Sequence, residues 1–337
     1  MSQFRNLVFE GGGVKGIAYA GALQILEQKR VLSDIKRTAG TSAGAITAAL
    51  VALGASSQRV QEIVGGTKFR TFMDDSFGVV RDMNRLVNDY GWFKGEAFSG
   101  WLQKQIYSLC GKPDLTFGEL RDRANKKPPF RELYVVGTNL TQQMPMIYSA
   151  EVTPNTPIWE AVRISMSIPL FFASVRVNPG NQVNVDGGVT WNYPLDLFDD
   201  VRYVEKGQVA YSKPNYPTKY DDNHVYNKET LGLRVDTWDE IKAEKETWNL
   251  PPAKIEDFFD YAKALVGFMG DMANKMHLHT NDWHRTIAID AGGVRTTEFD
   301  LSDQKVNMLV ENGCKGTEAY FKWFEGANSE PPPVNRE

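Results

Sequence analysis

The pattern of apolar positions over the first 55 residues reads as strand, turn, helix, strand, turn, helix. Leu7–Phe9 is a run of strand length ending in glycines, and Val14–Arg30 repeats apolar residues at helical intervals (Ile17, Ala20, Leu23, Ile25, Leu26). Arg37–Gly40 leads into a second sharp turn, and Ala45–Leu53 is almost wholly apolar. Alternating strands and helices with so little polar character predict a mainly parallel sheet covered on both faces. Residues 65–130 read as a helical excursion with aromatics at its turns: Phe69, Phe72, Tyr90, Trp92, Phe93 and Trp101. Leu133–Val136 returns to the sheet, and Met146–Tyr148 is its expected neighbour. Pro157–Ser167 reads as a helix opened by proline and stopped by Pro169. Val183–Val185 is a short strand running into Asp186-Gly187-Gly188, and Tyr203–Tyr226 is a polar, turn-rich surface loop. Ile255–Met276 places Ile255, Phe258, Phe259, Ala262, Leu265, Val266, Met269, Met272 and Met276 on one helical face. Core packing is the expectation for that face, with a lipid- or substrate-facing role as the alternative. The tail from Ser329 has three consecutive prolines and is expected to be disordered.

Composition narrows the classes. The 337 residues are 42% apolar and 24% charged, which excludes a disordered or collagen-like chain. With 38 basic against 42 acidic residues the net charge is −4, giving no electrostatic case for a nucleic-acid partner. Cys110 and Cys314 lie far apart without metal-ligand spacing, which fits a reducing compartment. The N-terminus has no apolar run of signal-peptide length. The longest uncharged run, Ala39–Gln58, carries too many Gly, Ser and Thr residues for a membrane span and reads as a buried helix. The expectation is a protein that is cytoplasmic, or exported without a cleavable signal peptide.

Gly11-Gly12-Gly13-Val14-Lys15-Gly16 fits G-x-G-x-x-G between a strand and a helix. Glycines there let backbone N–H groups approach an anion at a helix N-terminus, as in dinucleotide-binding folds. That fingerprint needs an acid at the end of the second strand, whereas Asp34 precedes it and the strand ends in Gly-Thr-Ser. A phosphate-binding P-loop fails as well, because Ile17 follows Gly16. A nucleotide site, another anion hole and a plain structural turn all remain open for this run.

Gly40-Thr41-Ser42-Ala43-Gly44 has the G-x-S-x-G pattern of a nucleophile elbow, in which flanking glycines relieve crowding around a strained serine. A tight turn without chemistry is the alternative. An elbow serine needs a base. The only histidines are His224, in the polar loop, and His277, His279 and His284, which suit surface or capping positions better than a metal site. Asp186, on a turn eased by Gly187 and Gly188, offers a carboxylate that can serve a serine directly as general base. Asp290-Ala291-Gly292-Gly293 is a similar motif that suits a surface turn.

Together the three ordered motifs resemble the patatin-like phospholipase family, in particular its bacterial members. Gly95–Phe98, Asp114–Phe117, Trp159–Pro169 and Asn192-Tyr193-Pro194 add to the resemblance, which spans about residues 5–310 and is weakest over 200–285. It implies a three-layer α/β/α fold with a helical cap and a serine acyl hydrolase of the phospholipase A or lysophospholipase type. Ser42 would be the nucleophile, Asp186 the base and Gly11–Gly16 with Ala43 the oxyanion hole, the N–H groups of Gly12, Gly13 and Ala43 facing the oxyanion. Such donors contribute on the order of 3–4 kcal/mol each to transition-state stabilisation. Lys15 would add positive charge near phosphate or oxyanion, or simply be solvated. The domain reading is a catalytic unit over 1–310 and a C-terminal helix with its tail over 311–337. No cofactor or metal is implied. The implied partners are a lipid or phospholipid substrate and a peripheral membrane contact, with an activator unassigned. Two rivals stand beside this reading: an esterase with a Ser-Asp-His triad, and a non-catalytic nucleotide-binding or interaction module.

Overall fold

The computed structural model describes residues 2–73, 86, 88–126, 128–205, 211–212, 223–241, 255–256, 258–277, 280–296 and 298–326. The strands are β1 (Asn6–Phe9), β2 (Arg37–Thr41), β3 (Gly91–Phe93), β4 (Glu132–Asn139), β5 (Met144–Ser149) and β6 (Leu170–Phe172), followed by β7 (Val175–Val177), β8 (Gln182–Asp186), β9 (Tyr211–Ser212), β10 (Tyr226–Asn227), β11 (Thr230–Asp236) and β12 (Thr286–Asp290). The main sheet runs β12-β11-β1-β2-β4-β8-β7, with β5 also on β4. Pairing is parallel from β12 through β4 and antiparallel beyond it. In open sheets of this kind, ligands gather beyond the carboxyl ends of the parallel strands, where successive connections leave in opposite directions. Here that place is the end of β1, flanked by β2 and β11.

One sheet face packs on the helices α1 (Ala18–Gln28), α2 (Ala43–Ala52) and α3 (Ser57–Gly65), together with others named below. Alternation puts Leu7 and Phe9 on this side and Val8 on the other, where Tyr193, Leu195, Phe198 and Tyr203 cover it. The short helical turns Leu195–Phe198 and Val201–Tyr203 carry this second cover. The fold is the expected α/β sandwich around a mainly parallel sheet.

The 65–130 region contains α4 (Glu96–Cys110) and α5 (Phe117–Lys126), and α6 (Ile158–Ser165) begins at Pro157 as the proline predicts. The excursion is not wholly helical. Gly91–Phe93 is a strand paired in parallel with β6, a partner some 80 positions away that no local pattern reveals. The amphipathic stripe at 255–276 is mixed: of its described members Ala262 is buried, Met269 and Met272 are half-buried, and Leu265 and Ile255 are exposed. Helix α7 (Phe258–His277) buries Ala262 and Asn274 but exposes Tyr261, Leu265 and Phe268, and Ile255 lies exposed before it. The side chains of Phe258, Phe259, Val266, Met276, His277 and His279 lie outside the described residues, as do most of 203–226 and the tail. Tyr203, placed by sequence in a surface loop, is buried edge-on against Phe198.

Helix α8 (Asp303–Phe324) starts behind its Ser302 cap, so a boundary at 310 falls inside it. It crosses α1 closely at Gly21 and Gly313, where a Cβ would overlap the Val310 and Ala18 carbonyls. The helix therefore belongs to the same core. No helix among the described residues is long and apolar enough to cross a membrane.

Candidate active site

Strand β4 brings the two motifs together. Its edge toward β2 pairs with Arg37–Thr41 through Val136, and the same edge pairs with β8 from Gly137 onward. The other edge is taken along its length by β5. Thr41 lies opposite Val136 and Asp186 opposite Gly137, so the end of β2 and the end of β8 meet at adjacent positions. Ser42, the residue after β2, therefore emerges beside Asp186.

The turn at Ser42 is strained. Ser42 sits at φ +53° and ψ −127°, a conformation costing a non-glycine residue on the order of 1–3 kcal/mol. Neighbours hold it there. Its N–H donates to Ser165 Oγ at 2.8 Å, Ser165 Oγ donates to the Val136 carbonyl at 2.6 Å, and its own carbonyl accepts Ala45 N–H at 2.9 Å. A side chain on Gly40 would overlap the Gly44 carbonyl, and one on Gly44 would strike the Phe9 and Glu10 carbonyls. The elbow glycines are thus demanded by packing. Behind Ser42, α2 starts at Ala43 and directs its free N-terminal N–H groups toward the serine's end of the sheet.

Asp186 is 4% exposed, and its Oδ1 accepts the Gly188 N–H at 2.7 Å. Its Oδ2 is buried without a hydrogen bond, and the in-range contact of the Ser42 hydroxyl is Met166 Sδ at 3.6 Å. Burial pushes the carboxyl from an ordinary 3.8 up to about 7, against the opposing pull of the Gly188 N–H and the nearby Ser42 hydroxyl. Gly187 is required because a Cβ there would run into the Val136 carbonyl and the Thr41 methyl.

The glycine loop divides into engaged and free donors. The N–H of Gly11 goes to Asn192 O, that of Val14 to Thr296 O and that of Lys15 to Gly12 O, at 3.0–3.2 Å. The N–H groups of Gly12, Gly13 and Ala43 carry no hydrogen bond among the described residues. Gly13 has φ +55° and lies so close to Thr296 that a Cβ would overlap its carbonyl, while a Cβ on Gly16 would stand only 3.3 Å from the Ala43 methyl. The loop is thereby laid against the start of α2.

Lys15 fits neither sequence expectation. It is buried, with its ammonium 3.0 Å from Asp236 Oδ1 and 3.8 Å from Glu240. Burial alone would lower its proton affinity, but Asp236, Glu240 and Glu10 hold it above the ordinary lysine value. Burial would likewise raise Asp236, yet Lys15 and Arg234 pull that carboxyl down to about 2. Arg234 reaches from Asp236 to Glu10, whose Oε1 also accepts Asn274 Nδ2 at 2.7 Å and Asn192 Nδ2 at 3.4 Å. Asn192 Nδ2 donates to the Gly11 carbonyl at 3.1 Å as well. This network ties β1, β11, α7 and the Asn192 segment beneath the loop. Asn192 is legible in the sequence only as part of a family-like tripeptide. Arg234, a charge inside a buried apolar strand, is the one sequence signal for the network itself.

The remaining motifs lie elsewhere. The β1–β2 register puts Asp34, which precedes β2, at the end of the sheet opposite the glycine loop. Asp290 accepts the Gly292 N–H at 2.9 Å in an exposed turn, as expected. His284 contacts Asn281 O and stacks on Trp323, and His224 bridges to Asp200, so neither of these described histidines hydrogen-bonds Ser42. Among the described residues no group of three or more His, Cys, Asp or Glu is placed to hold a metal ion.

Comparisons with known proteins follow the same residues. The chain is similar to the uncharacterized protein YqhO of Bacillus subtilis (strain 168), with 28% identity over 327 residues, 94% of this chain and 97% of that one. It is also similar to the probable lipid hydrolase 463L of Invertebrate iridescent virus 6, at 26% over 194 residues, covering 58% of this chain and 63% of the relative. Among solved structures it shares the fold of VipD from Legionella pneumophila, with a TM-score of 0.56 and 19% identity, over 94% of this chain and 66% of that one. The family model described as patatin-like phospholipase matches residues 7–199, more than half of the chain and a span holding the glycine loop, Ser42 and Asp186. The chain belongs to the patatin-like phospholipase family.

Proposed function

We propose that the chain hydrolyses carboxylic esters of lipids, in the manner of a phospholipase A or lysophospholipase, through an acyl-enzyme formed on Ser42. The observation that carries this reading is the pairing of a strained elbow serine with a buried carboxyl whose one unbonded oxygen, Asp186 Oδ2, has a proton affinity poised near neutrality. Ser42 Oγ attacks the ester carbonyl carbon while its proton passes to Asp186 Oδ2. The oxyanion meets the unengaged N–H groups of Gly12, Gly13 and Ala43. Collapse of the tetrahedral species breaks the C–O bond, and the leaving alcohol takes the proton from Asp186. Water then attacks the acyl carbon with Asp186 again as base, releasing the fatty acid and restoring Ser42. These steps close on the chain's own residues without a cofactor.

Lys15 has no part in this scheme, since Asp236 neutralises it. Lipid access is assigned to α7, which lies against the Gly187–Val189 turn and exposes Tyr261, Leu265 and Phe268. We assign the catalytic unit to the whole sandwich, α8 included.

The test is labelling by a fluorophosphonate, located by peptide mass spectrometry, alongside hydrolysis of a panel of phospholipids, lysophospholipids and triacylglycerols. Ser42 is expected to carry the label, and Ser42→Ala to lose both label and hydrolysis. A wild-type protein that takes no label and releases no fatty acid would overturn the assignment. Hydrolysis retained by Asp186→Asn but lost on replacing a histidine would favour a triad.

A further inference from the structure

Three consecutive residues at the end of α6 touch both members of the proposed dyad. Ser165, the last residue of the helix, accepts the Ser42 N–H on its Oγ at 2.8 Å and donates its own proton to the Val136 carbonyl at 2.6 Å. Met166 presents its sulfur to the Ser42 hydroxyl at 3.6 Å. Ser167 accepts the Asp186 N–H on its carbonyl at 2.9 Å. Ser165 and Ser167 are both fully buried. The segment is itself pinned. Ser167 Oγ donates to the Arg163 carbonyl at 2.9 Å and accepts from the Arg163 guanidinium, which also reaches the Lys94 and Ala173 carbonyls at 2.6 and 3.1 Å.

The Ser165 hydroxyl bridges an N–H just past the end of β2 to a carbonyl of β4, at the point where β2 leaves the ladder. A buried N–H and a buried carbonyl each need a partner, and one hydroxyl can serve one of each. It does so where Ser42 sits at a positive φ, which a non-glycine residue keeps only when its surroundings over-determine it. Engaged in this way, the Ser42 amide is not free for an oxyanion, and the Ala43 N–H is left as the elbow's donor. We propose that Ser165 is a positioning residue of the reaction: its hydroxyl holds the Ser42 backbone in register with Asp186, whose own backbone is held by Ser167. Proton transfer from Ser42 Oγ to Asp186 Oδ2 then takes only a turn of the serine side chain off Met166. Ser165 acts through Ser42 and touches no reacting atom. The inference rests on the acyl-enzyme reading and adds the residue that sets the spacing of its nucleophile and base.

Misplacing a nucleophile by a small distance costs up to about 10²-fold in rate. Ser165→Ala removes the bridge, and Ser165→Cys keeps a side chain of similar size with weaker hydrogen bonds. With p-nitrophenyl butyrate, Ser165→Ala is expected to lower kcat by about 10–100-fold and to leave KM within about twofold, with Ser165→Cys between it and the wild type. The decisive comparison places Ser165→Ala in the Asp186→Asn variant. An alignment role has no base left to align with there, so the further loss of kcat/KM should be under about threefold. A loss as large as in the wild-type background marks a general effect on the fold and overturns the proposal, as does near-normal kcat in the single variant. A test free of mutation is a crystal structure of the wild-type protein carrying a fluorophosphonate adduct on Ser42. The Ser42 N–H is expected to stay on Ser165 Oγ while the phosphonyl oxygen meets the Gly12, Gly13 and Ala43 N–H groups. A Ser42 N–H turned from Ser165 to the phosphonyl oxygen refutes the proposal. Failure of Ser42 to take the adduct at all would instead count against the hydrolase reading itself.

Discussion

Replacing Asp186 by asparagine separates the chemistry of the site from its cost. Burial raises the carboxyl from 3.8 to about 7, so the folded protein holds this proton more tightly than the unfolded chain does. The stability from the neutral form is complete below about pH 4 and is lost as the pH rises toward 7. A shift of about 3 units is worth about 4 kcal/mol. The amide of the variant carries no charge at any pH, and its oxygen can still accept the Gly188 N–H. Asp186→Asn should therefore gain stability relative to the wild type as the pH rises, by about 3 kcal/mol between pH 5 and pH 8. At roughly 1.4 °C per kcal/mol for a chain of this length, the gap in Tm should widen by on the order of 4 °C, which paired calorimetric scans resolve. The same variant should lose hydrolysis by at least about 10²-fold, since general-base help is typically 10²–10⁴-fold. The wild-type kcat/KM should rise through about pH 7 as Asp186 ionises. A Tm gap that does not change with pH, or near-normal turnover by the variant, would refute this account of the carboxyl.

Three further outcomes follow from the structure. Lys15→Met should destabilise by about 3 kcal/mol in chemical denaturation, because Asp236 then keeps only Arg234 in a buried setting. A change under about 0.5 kcal/mol would return Lys15 to a solvated role. Hydrolysis should persist in EDTA, because the Ser42–Asp186 chemistry calls on no Lewis acid, and activity abolished by the chelator and restored by zinc or calcium would contradict it. Vesicle flotation should be similar at 0.1 M and 1 M salt, where the Debye length falls from about 10 to about 3 Å, because the lipid contact proposed for the exposed Tyr261, Leu265 and Phe268 is apolar. Binding confined to anionic vesicles and lost at high salt would point to a basic face instead.

The parts of this molecule that sequence reveals are those whose cause is local. β1 is an apolar run ended by glycines and β2 leads into a glycine-flanked turn, and those glycines answer to steric demands within a few residues, as Gly40 does to Gly44. The helix at 158 announces itself through Pro157. What stays hidden has its cause far along the chain. β3 is three residues long, too short for alternation to show, and its partner β6 lies beyond several helices. The lysine of the glycine loop reads as a free charge because its partner Asp236 is 221 positions away. Glu10 and Asn274 stand 264 positions apart, yet share a hydrogen bond beneath the loop.

The proposed dyad depends on a feature between those extremes, the sharing of one β4 edge by two strands. β2 must stop at Val136 for β8 to begin at Gly137, and the sharp turn at Ser42 is what stops it. Had β2 run on by one residue, it would have occupied the position where Asp186 pairs. The strain at Ser42 therefore makes room for the carboxylate proposed as its base. The burial that raises the Asp186 carboxyl has the same origin, because β8 enters the sheet in the gap that β2 leaves. A positive φ worth about 1–3 kcal/mol and a displaced carboxyl worth about 4 kcal/mol sit at adjacent positions of one sheet edge. Local hydrogen bonds from Ser165, Ala45 and Gly188 oppose part of these costs, and the rest falls on the packing of the fold as a whole. Removing one cost without the other is what the Asp186→Asn variant does, which is why its expected signature is higher stability and lost turnover in the same molecule.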